Sequence, residues 1–221
     1  LLCDERLWRA QIAALGDIAA AQVADLTGES SMSALAASAL AAAPPTFALA
    51  GLSMGGYVAQ EIMRQAPERV IRLALLDTSA RPDTPEQTER RKGLLALARQ
   101  GKFKGVTPRL LPFLIHRSRL NDQELVGTVM AMAERVGQSA FFRQQEAIMG
   151  RPDGRGDLTR IRCPTLVLCG EEDAITPVAV HEEMARAIPA ARRATIPDCG
   201  HLSTLERPDH VSAELRRWLV D

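Results

Sequence analysis

The chain has 221 residues, 46% of them hydrophobic and 24% charged, enough apolar material for one globular domain with a sizeable core. Lys plus Arg and Asp plus Glu both number 27. That balance lacks the basic excess of a nucleic-acid binder, and no apolar run reaches the roughly 20 residues that span a bilayer.

Taken in chain order, the opening "LLCDERLW" does not start with methionine and reads like the interior of a longer polypeptide. The short apolar run Val23–Leu26 predicts a strand, and Met32–Ala43 a helix stopped by Pro44-Pro45. Phe47–Leu52 predicts a strand bounded by prolines and a glycine. Gly55–Ala66 predicts a helix whose apolar face is Val58, Ala59, Ile62, Met63 and Ala66, ended by Pro67. The run Val70–Asp77, "VIRLALLD", predicts a strand covered on both faces.

From Pro82 to about Gly156 the pattern becomes wholly helical. Thr84-Pro85 and Thr107-Pro108 read as N-caps followed by proline at the first helical position. Asn121-Asp122 and Ser139 open two further helices, and "ERRKG" at 89–93 reads as a solvated helix face. Strand and helix then alternate again: Pro164–Gly170 a strand, Val178–Ile188 a helix, Arg192–Pro197 a strand, Pro208–Val220 a helix. The alternation predicts an α/β fold, a mostly parallel open sheet flanked by helices. A helical block at 82–156 would be inserted between the core segments 1–81 and 157–221.

The stretch "GLSMG" fits G-x-S-x-G between a strand and a helix. A strand that turns into a helix within about three residues strains the residue at its tip. Flanking glycines remove the Cβ atoms that would collide, so the Ser53 hydroxyl is pushed out at the strand's carboxyl end. A serine needs a base, and the base needs an orienting group. His201, in a Gly-His loop between the last strand and the last helix, should lie on the same sheet edge as Ser53. His181 and His210 fall in helices and His116 in the inserted block. For the orienting acid, Glu171, Glu172 and Asp173 follow one strand, with Asp173 at the far end of the loop. Asp77 ends another strand and is the alternative acid.

These residues resemble the α/β-hydrolase superfamily: "GLSMGGYVAQ", "GEEDAITP" and "PDCGHLSTLERPD" occur in that order over nearly the whole chain. The resemblance implies Ser53 as nucleophile, Asp173 as acid and His201 as base, with the helical block as a cap. It implies an oxyanion hole from the Met54 N–H and that of Leu1 or Leu2, and an upstream strand without which a gap would open in mid-sheet. A serine at this corner argues against dehalogenases and epoxide hydrolases, which place aspartate there. The overall look resembles the carboxylesterase and enol-lactone hydrolase branch. The implied activity is cleavage of a small ester, lactone or thioester through an acyl-enzyme. A carbon–carbon bond hydrolase, a cofactor-free haloperoxidase or perhydrolase, or a non-catalytic ligand-binding protein are the alternatives. The expected partner is a small-molecule substrate, with no nucleic acid and no membrane.

Cys3, Cys163, Cys169 and Cys199 form no C-x-x-C pair and read as reduced, which predicts a cytoplasmic protein. The four histidines show no metal-ligand spacing, so no metal or cofactor is expected. Phe103, Phe113, Phe141, Phe142, Met130, Met132 and Met149 give the helical block its apolar material, most of it for helix–helix contacts. Arg143, Gln144 and Gln145 admit two readings, a grip on a substrate carboxylate or plain surface, and surface is the expectation.

Overall fold

The computed structural model describes residues 1–221. Four strands, β1 (Phe47–Leu52), β2 (Val70–Leu76), β3 (Thr165–Gly170) and β4 (Ala191–Ile196), form one parallel sheet in the order β1-β2-β3-β4. The first three are short, mostly apolar runs and β4 carries Arg192 and Arg193; each parallel crossover carries helix, as parallel pairing requires. The register aligns the carboxyl ends: Leu52 sits opposite Leu76, Leu76 opposite Leu168, and Gly170 opposite Ile196. Whatever follows these strands is therefore gathered on one rim.

Side chains alternate across the sheet. Leu73, Leu75 and Val167 enter a core with α2 (Met32–Ala42), α3 (Met54–Gln65) and α7 (Val178–Ala187). Ala74, Leu76, Leu166 and Leu168 enter a second core with α1 (Arg9–Leu15) and α9 (Pro208–Val220). Leu73, Leu75, Leu76, Leu166 and Leu168 are wholly buried, each such leucine contributing about 1.5–3 kcal/mol. On α9 the buried positions Val211, Leu215 and Trp218 share one helical face.

Several elements depart from the sequence-based expectation. Val23–Leu26 pairs with no strand and runs as open chain. The four strands are contiguous, and β1 pairs only with β2. A 3-10 turn at Glu5–Trp8, capped by Asp4, leads into α1, an element that the apolar pattern did not reveal.

Between β2 and β3 every regular element is helical: α4 (Pro85–Leu97), α5 (Leu111–Leu114) and α6 (Gln123–Met149), with short 3-10 and π segments. Thr84 caps α4 in a reciprocal capping box with Gln87, and Asp122 caps α6 through the Leu125 N–H. Thr107-Pro108 does not start a helix; α5 begins at Leu111 after a turn. No helix starts at Ser139. The break lies inside α6 at Gly137, with φ 76 and ψ 177, a conformation essentially reserved for glycine. No helix of the chain is long and apolar enough to cross a membrane. All four cysteines are free.

Candidate active site

Ser53 stands alone between β1 and α3, with φ 52 and ψ −115. Its N–H donates to the Leu76 carbonyl at 2.9 Å, and its carbonyl accepts the Thr78 hydroxyl at 2.8 Å. The two strands β1 and β2 thus hold an unfavourable backbone in place. Two glycines make the corner possible. A Cβ on Gly51 would lie 2.3 Å from the Gly55 carbonyl oxygen, and one on Gly56 would lie 2.4 Å from the Thr78 hydroxyl. Gly55, the second motif glycine, has open space where its Cβ would be. Its backbone, rather than its missing side chain, is what crowds Gly51.

His201 follows β4 after a left-handed turn at Asp198, φ 49. Its Nε2 lies 2.9 Å from Ser53 Oγ. Its Nδ1 lies 3.0 and 2.9 Å from the two carboxylate oxygens of Asp173. The structure therefore brings together Ser53, Asp173 and His201, from three separate strand ends. A carboxylate can only accept, so Nδ1 carries the ring proton and Nε2 presents its lone pair to the serine hydroxyl. Ser53 remains partly accessible, while Asp173 and His201 are buried.

The acid loop is built by its own sequence. In "DAIT" the Asp173 carboxylate accepts the Ile175 and Thr176 amides at 2.8 and 2.9 Å and the Thr176 hydroxyl at 2.6 Å. This is an Asx-type turn, and an aspartate three residues before a threonine is its visible signal. Burial pushes the Asp173 carboxyl up. His201 and the Thr176 bonds outweigh that and hold it below the ordinary carboxylate range.

Asp77 does not touch the His201 ring. Its carboxylate accepts the Gly170 N–H at 3.0 Å and the Ser203 N–H at 3.3 Å, together with the Ser203 hydroxyl. Burial first, and repulsion from Asp173 second, push its carboxyl well up. It ties the end of β2 to the end of β3 and to the residues after His201.

Leu2 does not offer a free donor: its N–H is spent on Gln144 Oε1 at 2.9 Å. Leu1 makes no hydrogen bond to Ser53; its carbonyl meets Cys3 Sγ. Met54 N–H is the first amide of α3 and, by helix geometry, has no intrahelical acceptor. Gln144 and Gln145, expected at the surface, are buried. Gln144 bridges Leu2 N–H and the Leu26 carbonyl, and Gln145 accepts from Arg91 at 2.8 Å. Phe103, Phe141, Phe142 and Met149 pack together with Leu1, Leu2 and Leu95. Met132 is buried in the core beneath α1 and α9, and Phe113 is exposed.

Two neighbours of the site have measurable consequences. A Cβ on Gly170 would lie 2.1 Å from the Gly200 carbonyl oxygen, so the end of β3 and the His201 loop touch backbone to backbone. Gly170→Ala is expected to cost about 3 kcal/mol of unfolding free energy, read from urea denaturation. A change within about 0.5 kcal/mol would mean that the contact is not enforced.

His181 on α7 is fully buried; its Nε2 accepts the Thr78 N–H at 2.9 Å and its Nδ1 faces the Pro177 carbonyl. Burial pulls its pKa from 6.5 down to about 4. The unfolded chain thus takes up this proton near pH 6.5, the folded chain only near pH 4. The stabilising contribution is complete above pH 6.5 and lost as pH falls toward 4. Between pH 7 and pH 5 the loss should be about 2 kcal/mol. The difference between wild type and His181→Gln in urea melts at the two pH values isolates it. Equal pH slopes in both proteins would contradict the assignment.

One His/carboxylate cluster has metal-ligand spacing: His116, Glu172 and Asp198, with ligand atoms within 4.8 Å of one another. His116 Nδ1 accepts the Ser118 N–H, which leaves the ring proton on Nε2, facing Glu172. Arg207 already pairs with Asp198. Glu172 also accepts the Cys199 N–H through Oε2, so each member of the cluster already has a partner within the chain.

Residues 8–215 match the model of the "Alpha/beta hydrolase family". A pimeloyl-[acyl-carrier protein] methyl ester esterase of Nitrosomonas europaea is 30% identical over 174 residues, covering 75% of this chain and 68% of the relative. A Mycobacterium tuberculosis protein provisionally named as a non-heme bromoperoxidase is 31% identical over 175 residues, covering 77% of this chain and 66% of that relative. The chain thus spans slightly less than two thirds of the second relative's length. Among solved structures, a thermophilic esterase from Thermogutta terrifontis, in a malate-bound study, superposes with TM-score 0.87 at 33% identity, over 98% of this chain and 85% of that one. An enol-lactonase from Burkholderia xenovorans superposes with TM-score 0.88 over 100% and 88% of the two chains; at 24% identity it speaks for the fold alone.

Proposed function

The chain belongs to the alpha/beta hydrolase family, and from that premise we propose that it cleaves a small carboxylic ester, lactone or thioester through an acyl-enzyme on Ser53. The observation that carries this reading is the unbroken line Ser53 Oγ, His201 Nε2, His201 Nδ1, Asp173 carboxylate, with each separation 2.9–3.0 Å.

In this reading Ser53 Oγ attacks the substrate carbonyl carbon while His201 Nε2 takes the hydroxyl proton. The carbonyl π pair moves onto oxygen, where the Met54 N–H and the positive end of α3 stabilise it. Asp173 keeps the Nδ1 proton in place and stabilises the imidazolium. Collapse of the tetrahedral adduct expels the alcohol, thiol or enol, which leaves with the proton from Nε2. Water then attacks the acyl-serine, Nε2 takes its proton, and a second collapse releases the acid and restores Ser53.

The esterase names of the relatives in Nitrosomonas europaea and Thermogutta terrifontis support ester cleavage. The apolar material that Phe103, Phe141 and Phe142 give the helical segment between β2 and β3 is in keeping with a short acyl group rather than a polar one. The test is a substrate panel of aryl esters of increasing acyl length, lactones and acyl thioesters, assayed with wild type and Ser53→Ala. Hydrolysis of at least one class, lost in the variant, is expected. No hydrolysis of any class would overturn the reading.

A second reading has one specific observation behind it, the bromoperoxidase name of the Mycobacterium tuberculosis relative. Adding acetate, hydrogen peroxide and bromide to the purified protein separates the two. Perhydrolysis faster than ester hydrolysis would favour the second. A reading as a non-catalytic small-ligand-binding protein would need Ser53 to stay inert toward a fluorophosphonate. We place the protein's action on a small molecule in the cytoplasm, in keeping with its free thiols.

A further inference from the structure

Glu206 ends α8 (Ser203–Glu206), the short helix just beyond His201, and is 1% exposed. A buried glutamate is uncommon unless paired, yet no lysine, arginine or histidine side chain bonds to its carboxylate. Three backbone amides do so instead. Oε1 accepts the Gly200 N–H at 3.0 Å and the Leu202 N–H at 3.2 Å, the amides on either side of the base. Oε2 accepts the His116 N–H at 2.6 Å, from the helical segment between β2 and β3.

The same segment completes the grip. The Leu114 carbonyl accepts the His201 N–H and, in a shared bond, the Leu202 N–H, both at 3.1 Å. Gly200 has no room for a side chain, since a Cβ there would lie 2.8 Å from both His116 N and the Ile115 carbonyl carbon. Arg119 donates to the Glu206 carbonyl from the other side. Both carboxylate oxygens act as acceptors of backbone N–H groups. Burial pushes its pKa up, against the pull of the three amides.

We propose that Glu206 is a positioning residue: its carboxylate fixes the His201 backbone at both flanking amides and ties the base to residues 114–116 of the helical segment. This rests on the reading of His201 as the general base. The imidazole must meet Ser53 Oγ and Asp173 at once, with a tolerance of a few tenths of an ångström. A loop held only by its own turn would not supply that.

The test measures the rate at which a fluorophosphonate phosphonylates Ser53 at pH 7, together with the melting temperature of each variant, which needs no knowledge of the substrate. Glu206→Gln removes the charge and leaves an NH₂ group facing at least one backbone N–H. Its labelling rate is expected to fall about tenfold, a share of the 10²–10⁴ that general-base catalysis supplies.

Glu206→Asp keeps the acceptor but withdraws it by one methylene; it should slow labelling by less than Glu206→Gln does. Leu215→Ala, in the core on α9, serves as a variant of lowered stability whose rate should stay at the wild-type value. Labelling of Glu206→Gln at the wild-type rate would overturn the proposal. So would a Leu215→Ala rate that falls as the Glu206→Gln rate does. If Glu206→Gln does not fold, an unshifted rate in Glu206→Asp overturns the proposal. Failure of the wild type to label at Ser53 would instead overturn the nucleophile reading on which the proposal rests.

Discussion

Ser53→Ala is expected to lower kcat for the best substrate by about 10⁴-fold or more, to the level left by binding and the oxyanion donors. The side chain's only hydrogen bond is the one to His201. Its removal therefore costs chemistry and little else. The strained backbone at φ 52 is held by Leu76 and Thr78 through main-chain atoms that the substitution keeps. An unchanged melting temperature alongside the lost rate would separate catalysis from folding. Retention of more than a tenth of the activity would remove Ser53 from the mechanism.

Asp173→Asn should reduce kcat by about 10⁴-fold. An amide can still accept the Ile175 and Thr176 N–H groups through its oxygen, so the turn persists. Its NH₂ then meets His201 Nδ1, which can only accept. The ring proton is forced onto Nε2, and the lone pair that should face Ser53 is gone. Asp77→Asn is a contrasting variant in the same buried region. It removes a carboxylate that is pushed up by burial and by Asp173 itself, and it keeps an oxygen for Gly170 or Ser203. Its activity should stay within about tenfold of wild type, with any loss traced to the shared contact with Ser203. Both variants are read by steady-state kinetics on an aryl ester. The reverse ranking would make Asp77 the orienting acid in solution.

The parts of the fold that were legible are those in which local pattern and global position agree. Phe47–Leu52 and Pro208–Val220 are bounded by their own punctuation, and the structure has these bounds. Ser53, Asp173 and His201 each follow a strand, so a parallel sheet sends all three to one rim whatever the details of packing. Val23–Leu26 shows the limit of local pattern: four apolar residues make a strand only with a partner alongside, and none is there. Ser139 marks the expected start of a further helix in the sequence, whereas the backbone of α6 changes at Gly137, where only glycine tolerates the conformation.

The buried glutamines escaped the sequence because their partners lie far away in the chain. Gln144 meets Leu2 and Leu26, and Gln145 meets Arg91, and no periodicity encodes such pairs. Glu206 escaped for the same reason. A glutamate in "STLERPD" looks like a solvated helix residue until the fold turns it onto the amides around His201. Asp77 was visible as a strand-end carboxylate, but its partner, Ser203, could be found only in three dimensions.

The most direct measurement is to treat the protein with a fluorophosphonate, digest it and locate the adduct by mass spectrometry. The account requires one phosphonyl group on the peptide that contains Ser53. It requires none in Ser53→Ala, and slow or absent labelling in His201→Ala. A label on any other residue, or labelling of Ser53 that proceeds as fast without His201, would contradict it.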